Sequence, residues 1–581
     1  GFLLIAGAIA GGIIALVRFV RPRPVHNDLD TYLRMTDDFL DSRPRQTFMP
    51  NTAGMMQVFG PGSFGGGSCG PNCDLSLPCP FLLMNGLCRY DVYDNALAAI
   101  YYTTRGKMEK AKAILDAFIY YMYVKKQETI KGVTVGPFEG LPSGRYLNLL
   151  AASYTSKRSV PGQYAGDGVA DGAADTGNNA WVGIALLRYA AAANDPCYAT
   201  AGCDVLHAIE YLGSCKDQLG GVRARLPPYP MNYRSTEHNI DLFALASMCR
   251  NTSLAGFSAG FVNQMFDRDQ RYPGTYVTGT SNNVACSTDV VYNAIPADAQ
   301  SWNFLAGVDP ALQRKVASMG MLAKSSGQGG LWEADADVIG SPKDGAGKGA
   351  MYYGTRFSSY GTGIQWEVSA ASTLALLKLA NTPPAALKGV VNADQMQALK
   401  KAASEGRDSL KRIFDVYGAV PASLLGGNYH MWMQRTNKSV HSDKFPGGTD
   451  TGLGWPYLRY PHVASTVWAA LALMYQFDED THPYEMANPY SSAEGFSDAI
   501  YSASEDLCLP PKPELDWSPC HLHPRCTAMN LTDGDCCPTP TGVKLGCCDM
   551  PSACVRHSGC VGLEGDCCPT ASGDFLGCCD E

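Results

Sequence analysis

Charge is scarce in this chain. Asp, Glu, Lys and Arg make up 17% of its 581 residues, against about 25% in an ordinary soluble domain. Basic excess is missing altogether: 46 Lys and Arg stand against 55 Asp and Glu, a net charge of −9. That excludes a dedicated nucleic-acid binder, whose footprint is a basic surface. The sequence holds no phosphate-cradling G-x-x-x-x-G-K-[ST], no H-E-x-x-H and no G-x-S-x-G elbow. It implies no metal and no cofactor. What it does hold is apolar material, 46% of residues with 8 Trp, too much for a disordered chain.

The 22 cysteines are unevenly placed. Twelve fall between Cys520 and Cys579, where the words CCPTPTGVKLGCCD and CCPTASGDFLGCCD repeat one unit. Each unit has six cysteines and too few apolar residues for a core, so disulfides must replace it. The paired-Cys rhythm partly resembles a granulin module, though the spacing departs from it. Upstream, Cys69, Cys73, Cys79 and Cys88 lack the paired C-x-x-C units of a zinc site and read as two local disulfides.

Residues 1–20 are apolar apart from Arg18 and just long enough to span a bilayer. They read as a membrane anchor, with a cleaved signal peptide as the alternative. Cysteine density and the acceptor triplets at Asn251, Asn437 and Asn530 put the body in a luminal or extracellular, oxidising compartment. The expected organisation is an anchor (1–20), a loop-rich lead-in with cysteines (21–89), a helical body (90–480), a linker (481–519) and two cysteine-rich repeats (520–581).

The body shows apolar residues at three- and four-residue spacing in about eleven segments, the first at Asn95 to Thr104 and the last at Val463 to Phe477. Several are apolar nearly all round, as helices buried on more than one face must be. Six helical hairpins arranged as an inner and an outer ring satisfy this pattern, with one helix left to find. The fold class is therefore all-α, an (α/α)6 toroid, with an N-terminal transmembrane helix and a disulfide-rich tail.

Three loop-to-helix junctions carry chemistry. The first is Asp171-Gly-Ala-Ala-Asp175-Thr-Gly-Asn178-Asn179-Ala-Trp181. The second is Tyr233-Arg-Ser-Thr-Glu237-His238-Asn-Ile-Asp241, where Glu237 and Asp241 share one helix face. The third is Gln365-Trp366-Glu367. In a ring, helix starts gather at one end, and carboxylates from separate hairpins can face one cleft. Two facing carboxylates are what glycoside hydrolysis requires, one protonated as acid and one ionised. Glu237 is the candidate acid and Asp175 the candidate base, with Glu367 and Asp241 in reserve. Trp181, Trp302, Trp366 and Trp455 are candidate sugar platforms, and Asn178, Asn179, His238 and Gln365 candidate hydroxyl partners. Structural roles compete: Asp175 or Thr236 as helix caps, Glu237 as a dipole partner, Trp302 and Trp366 as core. Asp335 and Asp337 could serve calcium only with more oxygen ligands than the sequence guarantees.

Tyr93-Asp94-Asn-Ala-Leu-Ala, Asp175-Thr-Gly-Asn-Asn-Ala-Trp181, Thr236-Glu-His-Asn-Ile-Asp241, Ala299-Gln-Ser-Trp302, Gln365-Trp-Glu367 and His462-Val-Ala-Ser-Thr-Val-Trp468 together resemble the six-hairpin glycosidase superfamily over about residues 90 to 480. The resemblance implies a carbohydrate cleft at the helix-start end and a poly- or oligosaccharide partner. Two other readings stay open. A polysaccharide lyase on the same toroid would need His238 or Tyr233 as base and Arg234 to neutralise a uronate. A non-catalytic glycan-binding surface protein would leave the carboxylates dispersed.

Overall fold

The computed structural model describes residues 27–49, 52–58, 89–155, 161–166, 168–292, 294–337, 340–341, 345–424, 448–453, 456–491, 518–519 and 535–537. The expected membrane anchor, the Cys69–Cys88 cluster and nearly all of the cysteine-rich repeats lie outside them. Among the described residues no helix is long and apolar enough to cross a membrane.

Six helices form a closed inner ring: α2 (Val92–Thr104), α4 (Thr176–Ala193), α6 (Thr236–Met248), α8 (Ala297–Ala306), α10 (Trp366–Ala380) and α13 (Val463–Tyr475). Each packs on the next, and α13 packs back on α2. An outer helix backs each one: α3 (Met108–Met122), α5 (Pro196–Gly213), α7 (Thr252–Gln264), α9 (Leu312–Ala323) and α12 (Ala393–Tyr417), after the four-residue α11 (Pro384–Leu387). The sixth outer helix is α1 (Asn27–Asp41), which packs against α13. The stretch read as a loop-rich lead-in thus begins with the missing twelfth helix of the toroid. Its apolar positions are spread among Asp and Arg residues, and sequence order separates it from its partner by the whole ring.

Burial follows composition. In α13 every residue is buried, whereas the 25-residue α12 buries only one face. The first has no polar face to offer water and the second has a wide one. α5 begins earlier than its apolar pattern alone suggests, because Asp195 caps it and Pro196 takes the first helical position.

The starts of the inner helices are built alike six times. At the fourth position of each stands a polar side chain: Asn95, Asn179, Asn239, Gln300, Ser369 and Thr466. Each both accepts from the N–H and donates to the C=O of one residue in its incoming segment. Those residues are Met56, Leu150, Val222, Tyr276, Thr355 and Val420. The first N–H of each inner helix then donates to the segment entering its neighbour: Val92 to Ala152, Thr176 to Ala224, Thr236 to Thr278, Ala297 to Phe357, Trp366 to Ala422 and Val463 to Val58. The bonds run round the rim and close on themselves. They meet the first orphan N–H of each of the six helix starts and hold all six starts at one end. Disulfides Cys203–Cys249 and Cys215–Cys286 staple the second and third hairpins.

The other end of the ring is closed by the chain after α13. Arg188, near the end of α4, donates to the carbonyls of Met486 (2.6 Å), Asn488 (3.0 Å) and Pro489 (3.2 Å) and to Ser491 Oγ (2.8 Å). Asn488 donates to Leu305 at the end of α8 (2.9 Å). Between the two ends, Tyr93, Trp181, Trp302, Trp468 and Tyr490 pack on one another along the ring axis, with Trp302 and Trp468 stacked at 5.9 Å.

Candidate active site

A cavity of about 500 Å³ opens at the helix-start end over this aromatic stack. It is lined by Asp94 of α2, Glu237 of α6, Asp298 of α8 and Glu367 of α10, with Asp175 and His462 from the residues that open α4 and α13. Every inner helix thus brings a titratable group to one space. Glu237, Asp298 and Glu367 occupy the same place, the second helical residue, on three successive inner helices. A second cavity of about 390 Å³ adjoins the first and shares Asp175, Glu237, Asp298 and Phe357 with it. The carboxylates therefore stand at the junction of one continuous groove.

The environments of these acids differ. Burial raises Glu237 well above the ordinary carboxyl range, and Asp298, Asp241, Glu367 and Asp175 add to the effect in that order. A carboxyl that must give up its proton into a dry site beside other carboxylates holds it. Asp298 is pushed up to about 7 by burial, with Glu367 adding to it and its own helix N–H groups opposing. Glu367 is likewise pushed up to about 7 by burial, although His462 and the Tyr93 hydroxyl favour its charge. Asp175 rises less, to about 6, because the Arg225 guanidinium offsets its burial. Arg225 Nε lies 2.6 Å from Asp175 Oδ1, and Asn178 donates to Oδ2 at 3.3 Å. Asp175 takes the capping position of α4, but its side chain caps nothing; it faces the cavity. The cap of α6 is Ser235 rather than Thr236, whose hydroxyl is spent on the Val277 carbonyl. Glu237 is thereby left to the cavity. Opposite, His462 Nε2 meets Asp94 Oδ1 at 3.1 Å. Asp94 raises the imidazole against the opposing effect of burial.

The remaining candidates divide. Asn178, Trp181 and Trp302 line the cavity, the two indoles as its floor. His238 lines the adjoining cavity and bonds the Ala224 carbonyl through Nδ1 at 3.1 Å. Burial pushes it down to about 4, so it is neutral at working pH. Asn179 is fully buried and belongs to the rim-pinning set, not to a ligand. Gln365 caps α10 through its side-chain oxygen (2.7 Å to the Val368 N–H) and is also fully buried. Trp366, 1% exposed, packs edge-on to Tyr352 in the core and does not line the groove. Asp241, 0% exposed, sits a turn deeper than Glu237 and lines neither cavity. Trp455 lies outside the described residues. Phe357 and Tyr457, which face each other at 5.8 Å, supply the aromatic wall instead.

Sequence reading passed over Asp298 and Arg225, and quoted Asp94 and His462 without giving them a role. A signal for Asp298 was present. Glu237, Asp298 and Glu367 each stand two residues before a rim-pinning side chain, Asn239, Gln300 and Ser369. Arg225 had none, because the strand pairing of Asp175 with Arg225 that sets it there is a tertiary contact. Asp335 accepts from the Ile364 N–H and Asp337 from the Gly340 N–H. Among the described residues no group of three or more His, Cys, Asp or Glu is placed to hold a metal.

No family model and no curated protein matches this chain. Among solved structures it is similar to a family 76 glycoside hydrolase from a bovine Bacteroides thetaiotaomicron strain, at 10% identity and a TM-score of 0.42, covering 80% of this chain and 77% of the other. It is also similar to an inactive variant of the alpha-1,6-mannanase GH76A of Salegentibacter sp. HEL1_6 in complex with alpha-1,6-mannotetrose, at 9% identity and a TM-score of 0.39, covering 80% of this chain and all of the other. A third is an alpha-amylase from Clostridium perfringens, at 10% identity and a TM-score of 0.39, covering 76% and 96%.

Proposed function

We propose that this protein is a glycoside hydrolase that cleaves a poly- or oligosaccharide lying in the groove. The observation that carries this reading is the convergence of Asp175, Glu237, Asp298 and Glu367 on one space in unlike environments. Groups whose surroundings push their proton affinities apart are how two carboxyls divide acid and base roles. Glu237, held protonated by burial and by four neighbouring acids, donates to the leaving oxygen. Asp175, ionised beside Arg225, activates water or attacks the sugar carbon. Asp298 and Glu367 surround the acid and stabilise positive charge developing on the sugar ring. Phe357, Tyr457 and Trp302 offer apolar surface to it.

The lyase reading loses its neutraliser. Arg234 is 0% exposed and is spent on Asp217 (2.8 Å) and the carbonyls of Gly220, Cys286 and Ser287. A uronate would enter a site already lined by carboxylates whose two arginines, Arg89 and Arg225, are paired with Asp91 and Asp175. Dispersed carboxylates would have favoured a non-catalytic glycan binder, and these converge.

The deciding experiment is a screen of the full chain against a glycan panel, scored for new reducing ends and for ultraviolet absorbance. The expected result is reducing ends without absorbance, abolished in both Glu237→Gln and Asp175→Asn. Absorbing products would establish a lyase. Binding without any product would establish a glycan-binding protein.

A further inference from the structure

The two cavities that meet at Glu237 are unlike. Every acid that lines the smaller one, Asp175, Glu237 and Asp298, lines the larger one as well. Four more, Asp91, Asp94, Asp171 and Glu367, line the larger cavity alone. Its basic side chains are spent on its own acids: Arg89 on Asp91 at 2.8 Å and His462 on Asp94 at 3.1 Å. The smaller cavity brings no acid of its own and adds the Arg225 guanidinium. It is also amphipathic. Its polar side comes from the segment that enters α6 and from the start of that helix. The Ala224 N–H donates to the Tyr233 carbonyl (2.9 Å), and the Ala224 carbonyl lies 3.1 Å from His238 Nδ1. A carbonyl only accepts, so Nδ1 carries the proton and Nε2 is left with a lone pair. The imidazole also packs on α4, where a Cβ at Gly177 would meet its Cδ2 at 2.7 Å. The ring is thus fixed in place. Among the described residues neither its Nε2 nor the Tyr233 hydroxyl has a hydrogen-bond partner, and both side chains line the cavity. The apolar side is Val291, Ala294 and Pro296 ahead of α8, Phe357 ahead of α10 and Leu453 ahead of α13. A sugar ring has the same two characters, a C–H face and a rim of hydroxyls.

We propose that the groove has a direction: the sugar that becomes cationic lies in the larger cavity, and the smaller cavity holds the leaving-group sugar, whose hydroxyls bind His238 Nε2 and Tyr233 Oη. This direction rests on the reading of Glu237 as the acid. Positive charge develops on the ring whose glycosidic bond breaks. Carboxyl groups around that ring stabilise the charge and a guanidinium opposes it, so the ring belongs where the four additional acids are and Arg225 is not. The leaving sugar is uncharged once its oxygen takes the Glu237 proton. It needs only hydrogen bonds and an apolar surface, which is what the smaller cavity offers. Glu237 lines both cavities, so the oxygen it protonates lies where they meet. His238 and Tyr233 then select the sugar beyond the broken bond and leave the glycone to the larger cavity.

The test compares two kinds of substrate in the full chain. One is the oligosaccharide that the wild type cleaves from the glycan panel. The other is drawn from the glucosyl, mannosyl, galactosyl and xylosyl fluorides, in both anomers. A glycosyl fluoride carries a glycone and no leaving sugar: the C–F bond breaks, fluoride departs with the electron pair, and water gives its oxygen to the anomeric carbon and a proton to the base. His238→Ala and Tyr233→Phe each remove one hydrogen bond to the leaving sugar. Each is expected to lower kcat/KM on the oligosaccharide about 3–10-fold more than on the fluoride. Tyr457→Ala, which alters the larger cavity alone, is expected to lower both alike. Equal losses on the two substrates in the His238 and Tyr233 variants, or no loss on either, overturn the proposal. So does a Tyr457→Ala that spares the fluoride, because the direction is then reversed. Should one of the two smaller-cavity variants not fold, the other decides alone. A chain that cleaves neither kind of substrate fails as a hydrolase and the direction falls with it, whereas equal losses on two cleaved substrates overturn the direction alone.

Discussion

The two ends of the inner ring are made from the same six helices and do opposite things. At the starting end, helix N-termini surround an open groove, and second-position side chains on three of them are acids. At the finishing end, a returning segment seals the axis, and one arginine collects its carbonyls. Positive helix ends favour anionic side chains and negative ends favour cations, so carboxylates gather at one end and Arg188 at the other. The difference teaches that the axis is sealed at one end while at the other the acids stand inside a rim of backbone-pinning bonds. The closed end and the rim bonds hold the ring, which lets the open end keep buried acids that cost stability.

The comparison is broken most severely by Glu237→Gln. Its kcat should fall about 10³-fold or more on the cleaved glycan, with Asp175→Asn losing roughly 10²–10³-fold. Neither variant should lower the melting temperature. A destabilised Glu237→Gln would mean that this acid contributes to folding. Arg188→Ala tests the converse. It strips the plug of its donors and should cost about 3–5 kcal/mol in denaturant unfolding.

Proton linkage sharpens the contrast. Asp298 and Glu367 have folded-state values of about 7, above their ordinary values near 4. Between those values the folded state binds more protons than the unfolded, so stability is greatest at low pH and is lost as pH rises through 7. Each carboxyl is worth on the order of 3 kcal/mol in this window. Asp298→Asn should therefore flatten the fall in melting temperature between pH 5 and 8. A slope unchanged by Asp298→Asn would show that the acid is not buried as described. The smallest effect is expected at Asn178→Ala. It removes one long bond to Asp175 and should alter kcat/KM only a few-fold.

Much of this was legible beforehand. Ring architecture followed from all-round apolar helices, and the helix-start location of the acids followed from the ring. Glu237 and Asp175 lie in the groove as that reasoning required. What misled was polarity itself. Asn179 and Gln365 looked like ligand-holding amides because an amide in a glycine-rich junction is ambiguous. The structure spends them on a capping bond and a rim bond repeated at the other helix starts. Trp366, a candidate platform with a core role competing, takes the core role. On a helix, neighbours in sequence point about 100° apart, so the side chain next to a groove residue is directed to the core. α1 went unread because its partner stands more than 400 residues away.

That last pairing has a consequence for biosynthesis. A ring whose first hairpin half is α1 and whose second is α13 cannot close until both exist. At about 5–20 residues per second on the ribosome, α1 waits for some tens of seconds while about 420 residues are made. Throughout that time the apolar flank that α13 will cover is bare. Such a chain has high contact order at its final step, and a bare apolar flank is prone to misassociation until α13 arrives. A circular permutant that places α1 directly after α13 would make that hairpin local, and should fold faster while leaving the groove unchanged.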